Sequence, residues 1–382
     1  MVKFGDIAQS VADRVDPAKA TTDVYVGLEH LDPSTIHLRQ WGHPSDVTGQ
    51  KLAFKKGDVI FGRRRAYQRK LAVAEFDGIC SAHAMVVRAK PKMILPEFLP
   101  FFLQSNMFME RAIEISVGSL SPTINWKTLR IEEFPLPPVE EQKRIAEILW
   151  AADEAIEKYK ESLDALTILN SRTFKELLRH ESTRAVSCGE LYSLPPRNGF
   201  SPKTNASGSG CPTLSIGAVR DGRIDPNGNT KYAEITSLDL DKFRLRAGDI
   251  LVVRGNGNKH LCGKAGLVSA IPEDCFYPDL LIRITFDEKM ILPAFAVAQW
   301  NAPLTHSNLL AFAKSTNGIW KINGKDLRQH KMLVPAIEVQ KKIVKQLSIF
   351  GNREAELSNH VEVLKGLQRQ IGNDVIEGAL HV

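Results

Sequence analysis

One stretch of this sequence occurs twice, and the repeat limits what the chain can fold into. FPLPPVEEQKRIAEIL spans residues 134–149, and a degenerate copy, MLVPAIEVQKKIVKQL, spans residues 332–347. The Gln-Lys pair that begins at Gln142 returns 198 positions later at Gln340. Proline cannot sit inside a helix, so the prolines of each copy hold an extended segment before one. Each copy therefore predicts an extended segment that leads into a helix.

Each copy also begins a heptad ladder. Steps of four and three alternate over residues 145–177, which indicates one face of a long coiled-coil helix. The equivalent ladder over residues 343–375 is apolar at eight of its ten positions. Asn170 and Gln368 are equivalent polar positions that either set the register of the helix pair or face solvent where the seam frays. The expected helix-helix spacer positions are Ile145, Leu149, Ile156, Leu163, Leu166 and Asn170, with Leu347, Leu357, Val361, Leu364 and Gln368.

The repetition extends to the segments before the ladders. INWKTLR at residues 124–130 matches INGKDLR at 322–328, and MILP occurs at Met93 and at Met290. A repeat of about 190 residues is too long for a solenoid, so it indicates a duplicated unit of globular domain plus helix. The expected segments are globular at 1–136 and 184–334, and long helices at 137–183 and 335–382.

The predicted fold class is α+β. A head-to-tail repeat returns the chain across its own start, so the two helices are expected to pack antiparallel as a coiled coil. Two similar globular domains would then be separated by the helices and related by pseudo-two-fold symmetry. Within the first domain, GDVIFGRRRAYQRKLAVAEFDG predicts strand, basic turn and strand. Residues 97–116 are predicted to form a single helix with Phe101, Phe102 and Met109 facing a core.

Composition and charge leave several function classes open. A length of 382 residues favours two or three domains, and a net charge of +6 permits a nucleic-acid partner without requiring one. The sequence has neither a run of about 18 apolar residues nor the apolar core of a signal peptide, so a cytoplasmic protein is expected. The five cysteines are scattered without a CxxC pair, which favours reduced thiols over disulfides or a zinc site.

The motifs of several enzyme classes are missing from the sequence. The Pro-Pro pairs at residues 137–138 and 195–196 follow leucine, where an amino-methyltransferase carries Asn or Asp to hold the target amine. GNGNKHLCGKA differs from a phosphate loop in spacing, and Ala265 stands where the metal-binding Ser or Thr would be. HExxH and GxSxG do not occur. No catalytic residue, cofactor or metal is therefore expected.

Two turns are the best candidates for ligand binding. The basic turn of the first domain can pair with phosphates and place an arginine on a guanine edge, although a solvated basic hairpin would have the same composition. The equivalent turn at residues 254–264, which includes His260, offers Asn for adenine and Gly for close backbone approach, although the glycines alone could serve the turn geometry. The loops at 119–127 and 314–321 are expected to touch phosphates.

The candidate DNA-binding residues follow from these four segments. Arg39, Gln40 and Trp41 are weaker candidates. The main candidates are Arg63, Arg64, Arg65, Tyr67, Arg69, Lys70, Ser119, Ser121, Thr123, Asn125 and Lys127 in the first domain, and Arg254, Asn256, Asn258, Lys259, Lys264, Lys314, Ser315, Thr316 and Lys321 in the second.

The repeated motifs resemble those of a known family. FPLPPVEEQKRIAEIL and its copy, with SLSPTINWKTLR and STNGIWKINGKDLR before them, resemble the specificity subunit of type I DNA restriction-modification systems over essentially the whole chain. The second copy departs from the pattern, because Ala336 replaces the second proline and Val339 replaces a glutamate.

The resemblance implies a non-catalytic protein. Each globular domain would be a target-recognition domain that reads one half of a bipartite site in double-stranded DNA. The helices would set the gap between the halves, and about 50 Å of helix corresponds to about 15 base pairs. They would also dock two methyltransferase subunits, to which restriction and translocation subunits can add. The alternatives are a protein-binding coiled-coil scaffold without sequence-specific DNA binding, and a self-sufficient enzyme with an unrecognised catalytic motif.

Overall fold

The computed structural model describes residues 1–205, 208–235 and 240–376. Its contacts divide the chain into two compact units. Unit 1 is Met1–Leu163 together with the chain from Glu356 onward, and unit 2 is Asp164–Ala355. Each unit therefore holds one globular part and a segment from each of two long helices.

The elements of the first copy are short strands and helices followed by one long helix. They are β1 (Val2–Lys3), α1 (Phe4–Ile7), β2 (Ala8–Val11), β3 (Arg14–Val15), β4 (Tyr25–Val26), β5 (Lys51–Phe54), β6 (Val59–Phe61), β7 (Leu71–Val73), β8 (Gly78–Cys80), β9 (Met85–Ala89), α2 (Leu99–Gln104), α3 (Asn106–Glu114), α4 (Trp126–Leu129), β10 (Glu133–Phe134) and α5 (Val139–Leu177).

The second copy repeats this plan with additional strands. Its elements are β11 (Arg184–Ser187), α6 (Cys188–Leu191), β12 (Tyr192–Asn198), β13 (Thr204–Asn205), β14 (Cys211–Leu214), β15 (Val219–Arg220), β16 (Arg223–Ile224), β17 (Thr230–Ala233), β18 (Ile250–Val253), β19 (Gly255–Asn256), β20 (Ala265–Leu267), β21 (Leu281–Phe286), α7 (Pro293–Asn301), α8 (Pro303–Leu310), β22 (Lys314–Thr316), β23 (Ile319–Lys321), α9 (Gly324–Gln329), β24 (Lys331–Val334) and α10 (Ile337–Ile376).

The central sheet of unit 1 is buried on both faces. Its strands run in the order β2-β9-β6-β7 and are all paired antiparallel. Val59 and Phe61 of β6 pack in one core with α2 and α3, while Ile60 packs in a second core with Phe54 of the neighbouring sheet β3-β5-β8-β4. Since successive side chains of a strand point to opposite faces, burial on both sides explains why β6 is apolar throughout.

Unit 2 builds its central sheet in the same way. The order is β12-β21-β18-β20-β16-β15, and the smaller sheets are β13-β17-β14, β19-β23-β22 and β11-β24. Ile250 and Val252 of β18 face one core, while Leu251 and Val253 face the other. The similar segments KKGDVIF, at residues 55–61, and RAGDILV, at residues 246–252, therefore occupy the same strand position in the two units.

The Gly-Asp pair in those motifs makes the same turn in both units. Gly57 and Gly248 have φ values of 90° and 91°, which residues with a β-carbon rarely adopt. Asp58 accepts a hydrogen bond from the Lys55 N–H at 2.8 Å, and Asp249 accepts one from the Arg246 N–H at 2.9 Å. The turn thus fixes where β6 and β18 begin.

The prediction of a single helix over residues 97–116 is wrong. The chain leaves helical geometry at Ser105, whose ψ is 151°, and α2 and α3 form separately. The Ser105 hydroxyl accepts a hydrogen bond from the Phe108 N–H at 3.3 Å and donates one to the Phe102 carbonyl at 2.7 Å. An N-cap serine inside an apolar run stops one helix and starts the next. In unit 2, Ala302 separates α7 from α8 with a ψ of 138°.

A fully buried glutamine fixes the start of each long helix. The Gln142 amide donates hydrogen bonds to the carbonyls of Met93 and Pro137, at 3.0 and 2.9 Å, and its oxygen accepts one from the Leu95 N–H at 2.9 Å. We call this arrangement the glutamine clamp. It explains why MILP recurs together with the Gln-Lys pair at the start of the long helix, because the clamp joins one motif to the other.

The glutamine clamp is repeated in unit 2. The Gln340 amide donates to the carbonyls of Met290 and Pro335, at 3.0 and 2.8 Å, and accepts from the Leu292 N–H at 2.8 Å. Gln340 is also fully buried. The departures from the motif at positions 336 and 339 therefore leave the clamp intact.

The segments of the two long helices in unit 1 pack antiparallel. In unit 1, the Gln368 amide donates a hydrogen bond to the Leu149 carbonyl at 3.2 Å, and the rings of Tyr159 and His360 lie 5.3 Å apart. Position numbers rise along α5 as they fall along α10, which is the antiparallel order. In unit 2, the side chain of Phe174 packs against the cluster that holds Ile343. The predicted α+β class and long helices are confirmed.

The ladder positions line these contacts. Gln368 is half-buried and bound to α5, as a register-setting residue would be, while Asn170 is half-buried. The buried ladder residues are Ile145, Leu149, Ile156, Leu357 and Val361, and the half-buried ones are Leu163, Leu166, Leu347 and Leu364. In the described part of the chain, no helix combines the length and apolar character needed to cross a bilayer.

Candidate nucleic-acid interface

The turn between β6 and β7 displays part of its basic cluster to solvent. Arg65 and Arg69 have left-handed φ values of 57° and 52° and flank a single 3-10 turn at Ala66–Gln68. Such values are uncommon outside glycine, and they bend the chain tightly on both sides of the turn. Arg64 and Arg65 are exposed, and the Tyr67 ring is 53% exposed.

The Ser- and Thr-rich loop of unit 1 lies directly against this turn. The Ile124 N–H donates to the Arg63 carbonyl at 2.9 Å, and the Arg65 N–H donates to the Pro122 carbonyl at 2.7 Å. The Arg64 Nε donates to the Ser121 hydroxyl at 2.7 Å. Residues 62–70 and 117–127 therefore form one continuous surface, which we call the first basic surface.

Three of the predicted basic residues serve the fold of this surface. Arg63 donates from Nη2 to the Ala82 carbonyl at 3.0 Å, and Arg69 donates from Nη1 to the Asn106 side-chain oxygen at 2.7 Å. Lys70 donates to the Leu28 carbonyl at 2.8 Å. All three are half-buried, and Ser121 and Thr123 are half-buried as well. The predicted residues that face solvent are Arg64, Arg65, Tyr67, Ser119, Asn125 and Lys127.

Unit 2 brings its two candidate segments together in the same way. The Ile322 N–H donates to the Arg254 carbonyl at 2.9 Å, matching the bond between Ile124 and Arg63. Strand β19 pairs with β23, which pairs with β22, so that Asn256 lies opposite Trp320. We call residues 254–264 and 314–323 the second basic surface. Its predicted residues that face solvent are Asn258, Lys259, His260, Lys314, Ser315 and Lys321.

On the second basic surface, as on the first, contacts within the fold hold some of the predicted residues while others face solvent. Arg254 donates to the Asp279 carbonyl at 3.2 Å, and burial lowers the pKa of the Lys264 ammonium. The Asn256 side-chain oxygen accepts from the Asn258 N–H at 2.8 Å, which holds the turn. Lys259 lies 4.5 Å from the centre of the Trp320 ring, in cation–π geometry. The side chain of Thr316 lies outside the described part of the structure.

The weaker candidates lie apart from both surfaces. Arg39 pairs with Glu157 of α5 at 2.7 Å and with Glu75 at 3.4 Å, so its guanidinium is already engaged by carboxylates. Gln40 is exposed, and Trp41 packs edge-on against Phe76 with ring centres 5.0 Å apart.

A histidine that sequence reasoning missed lies beside Arg39. His37 Nε2 is 2.6 Å from an oxygen of Asp153 on α5, and its Nδ1 is 2.6 Å from an oxygen of Glu75. Two carboxylates need both ring nitrogens as donors, so this geometry fits the imidazolium form. The hydrogen bond to Asp153 raises the pKa of His37, opposing the effect of burial, and the bond to Glu75 raises it further. His37 thereby ties the globular part of unit 1 to its long helix.

The fold defines a class of duplicated α+β proteins that carry one long helix per repeat. The family model described as type I restriction modification DNA specificity domain matches residues 38–167 and 186–363. This chain belongs to that family, so the resemblance stated from the repeated motifs is confirmed.

Individual relatives agree with the family match. The chain is 25% identical over 359 residues to the type I restriction enzyme EcoKI specificity subunit of Escherichia coli strain K12, covering 88% of this chain and 75% of that protein. It is 23% identical over 358 residues to the StySPI specificity subunit of Salmonella potsdam, with coverage of 88% and 75%.

Solved structures share the fold. One, from work on complex assembly and conformational transition of the type I restriction-modification system, has a TM-score of 0.60 and 21% identity, and the match covers 99% of this chain and 97% of that one. The type I restriction-modification S subunit from M. genitalium has a TM-score of 0.56 and 13% identity, with coverage of 97% and 94%.

Proposed function

We propose that this chain is the DNA sequence-recognition subunit of a type I restriction-modification system. The observation that carries the proposal is the double family match, at residues 38–167 and 186–363, with each match containing the turn of one basic surface. Each globular part reads one half of a bipartite site in double-stranded DNA. The two long helices set the number of base pairs between the halves and bind two methyltransferase subunits, and restriction subunits join where the system has them.

The two basic surfaces supply different chemistry for the two half-sites. Arg64 and Arg65 present guanidinium groups, which bind phosphates and pair with the O6 and N7 edge of guanine. The second surface presents Asn258 and Lys259, and an asparagine amide can pair with the N6 and N7 edge of adenine. The two surfaces have similar backbone arrangements but expose different side chains. This difference suits the recognition of two different half-site sequences.

The chain contributes recognition, and the chemistry of methyl transfer falls to its partners. The exposed polar groups of the predicted residues on both basic surfaces are guanidinium, ammonium, amide, imidazole, phenol and hydroxyl groups, which can bind DNA. Neither Pro-Pro pair of the sequence follows the Asn or Asp that an amino-methyltransferase uses to hold the target amine. We therefore expect the isolated chain to lack methyltransferase activity.

Selection from random DNA duplexes tests the proposal. The tagged chain is captured with the proteins that it holds in host extract, and bound duplexes are sequenced. We expect one bipartite motif with a fixed gap. The double variant Arg64→Ala with Arg65→Ala should lose sequence preference in one half only. If intact protein with its partners enriches no motif, the protein-binding scaffold replaces this proposal.

A further inference from the structure

The first basic surface carries an apolar tip that the DNA-contact residues do not account for. Val117 and Thr123 exchange two backbone hydrogen bonds, of 3.1 and 3.0 Å, and close the loop between them. Gly118 has a φ of +122°, a value that residues with a β-carbon rarely adopt. Leu120 lies at the tip and is 92% exposed, and Val117 is 69% exposed. Among the described residues, Leu120 is the most exposed large apolar side chain.

The loop that carries Leu120 is held in place on its C-terminal side. Ser121 is bonded to the Arg64 side chain at 2.7 Å, and the Pro122 carbonyl accepts from the Arg65 N–H at 2.7 Å. Leu120 is therefore one and two residues from points fixed to the basic turn. Its side chain projects from the same surface as two exposed arginines.

A single exposed leucine is normal on a protein surface. The position of Leu120 beside two exposed arginines nevertheless indicates a role in binding. Leucine forms no hydrogen bond, so Leu120 gains nothing from a phosphate or from water. Arginines on the same surface would draw that surface onto the DNA backbone, and the apolar groups within reach there are the bases. Many proteins that bind the minor groove insert apolar side chains as wedges that partly unstack a base-pair step.

We propose that Leu120 is a wedge that enters the groove of the half-site read by unit 1 and unstacks one base-pair step. This proposal rests on the proposed DNA-recognition function and adds a specificity-determining residue to it. A wedge makes the energy of binding depend on how readily that step unstacks, so flexible pyrimidine–purine steps are favoured at that point.

The second basic surface differs at the equivalent tip. Its hairpin β22–β23 turns at Asn317 and Gly318, with φ values of 51° and 74°. This compact turn has no apolar side chain at its two central positions, and Ile319 beyond it is 40% exposed. Leu261, the other exposed leucine of the second basic surface, is 48% exposed against 92% for Leu120. The proposed wedge is therefore assigned to unit 1 alone.

Local fluorescence of bound DNA tests the wedge. The chain in complex with its methyltransferase partners is bound to its selected duplex. 2-Aminopurine is placed in turn at each purine of both half-sites that is neither a methylated base nor next to one, because methyltransferases flip their target base out of the stack. We expect a rise in fluorescence at one step of the half-site read by unit 1 and none in the other half. Leu120→Ala should abolish the rise and weaken binding by about tenfold, since losing one wedge removes on the order of 1.4 kcal/mol. Leu120→Phe should keep the rise.

Leu304→Ala is the matched control, because Leu304 is 74% exposed on α8 of unit 2 and lies outside both basic surfaces. It should bind and fluoresce as the original chain does. The proposal is overturned if Leu120→Ala matches the control in affinity and fluorescence, or if the original complex shows no local rise. If the chain selects no bipartite motif, the proposed function and the wedge are both overturned. If the chain selects a motif but Leu120→Ala changes neither affinity nor fluorescence, only the wedge is overturned.

Discussion

Gln142 and Gln340 each attach a globular part to its long helix through three hydrogen bonds from one buried amide. A buried amide that is fully bonded contributes modestly, but its removal leaves the three main-chain partners unpaired and away from water. The glutamine clamp is therefore much more costly to break than its net contribution suggests.

Replacing Gln340 by alanine should lower the free energy of unfolding of unit 2 by roughly 3 kcal/mol, about 1 kcal/mol for each unpaired backbone group. Urea unfolding followed by circular dichroism measures the change. Gln346→Ala, at an exposed position of the same helix, is the matched control and should leave the midpoint unchanged. Equal urea midpoints for the two variants would show that the glutamine clamp does not stabilise the attachment of the globular part to its long helix.

His37 makes the stability of unit 1 depend on pH. Its folded-state pKa is raised, chiefly by the hydrogen bond to Asp153 and further by the bond to Glu75, while burial and the charge of Arg39 oppose the rise. A raised pKa stabilises the fold fully below the unfolded value of about 6.5, and that contribution is lost as the pH rises through the folded value.

We therefore expect the melting temperature of unit 1 to fall as the pH rises from about 6.5 through the folded pKa of His37. His37→Gln should flatten this part of the profile, because glutamine does not titrate. His83→Gln, at an exposed histidine of the same unit, should leave the profile as it was. Differential scanning calorimetry over this range makes the comparison, and parallel profiles for His37→Gln and the original chain would exclude the role.

At the scale of elements, the turn between β6 and β7 has two kinds of basic residue. Arg63, Arg69 and Lys70 bind main-chain or side-chain oxygens of the fold, whereas Arg64 and Arg65 face solvent. In the proposed DNA interface, Arg64 and Arg65 are the residues of this turn that displace counterions. Within the fold, Arg64 donates one hydrogen bond to Ser121. Substitutions in this one turn should therefore separate stability from DNA affinity.

The double variant Arg64→Ala with Arg65→Ala should bind its DNA more weakly and with a flatter salt dependence. Each of the two arginines that contacts a phosphate contributes about 1 to the slope of log affinity against log salt, so the slope should fall by up to about 2. Fluorescence anisotropy at several salt concentrations gives the slope. The control is Arg14→Ala with Lys19→Ala, which removes the same charge from exposed positions outside the basic surface. If both variants flatten the slope equally, net charge rather than this turn is responsible.

Sequence reasoning reached the elements that have a strong period. The heptad ladders predicted both long helices, and the apolar segments on either side of the basic turn predicted β6 and β7, because the signal for each element lies within one short stretch of sequence. The prediction of one helix over residues 97–116 failed at Ser105, because a single N-cap serine ends α2 and starts α3 within a continuous apolar run. Sequence reasoning also missed His37, whose partners Glu75 and Asp153 lie far along the chain, and no local pattern announces such a contact. The meeting of each basic turn with its partner loop has the same non-local origin.

At the scale of the whole molecule, the boundaries of the compact units fall inside both long helices. Unit 1 ends at Leu163 and resumes at Glu356, and each unit keeps its own glutamine clamp and its own helix contacts. Residues inserted at these two boundaries would therefore disturb neither globular part. The proposed role of the helices in setting the gap can be tested there.

Inserting two heptads after Leu163 and two after Ala355 keeps the ladder in register and adds about 21 Å of helix. The preferred gap between half-sites should lengthen by about 6 base pairs, while both half-site sequences stay the same. Selection from random duplexes reads both quantities at once. Substituting two existing heptads by the inserted sequence, without a change of length, is the control and should keep the original gap. An unchanged gap in the lengthened chain would show that the helices do not set the distance between the half-sites.

The glutamine clamp has a consequence for how such proteins diverge. All three partners of Gln142 are main-chain groups, namely the carbonyls of Met93 and Pro137 and the N–H of Leu95. Because the glutamine clamp bonds only to main-chain groups, it does not depend on which side chains the bonded residues carry. Mutations can therefore accumulate in the globular part, or one globular part can be exchanged for another by recombination, while the attachment to the helix is inherited unaltered.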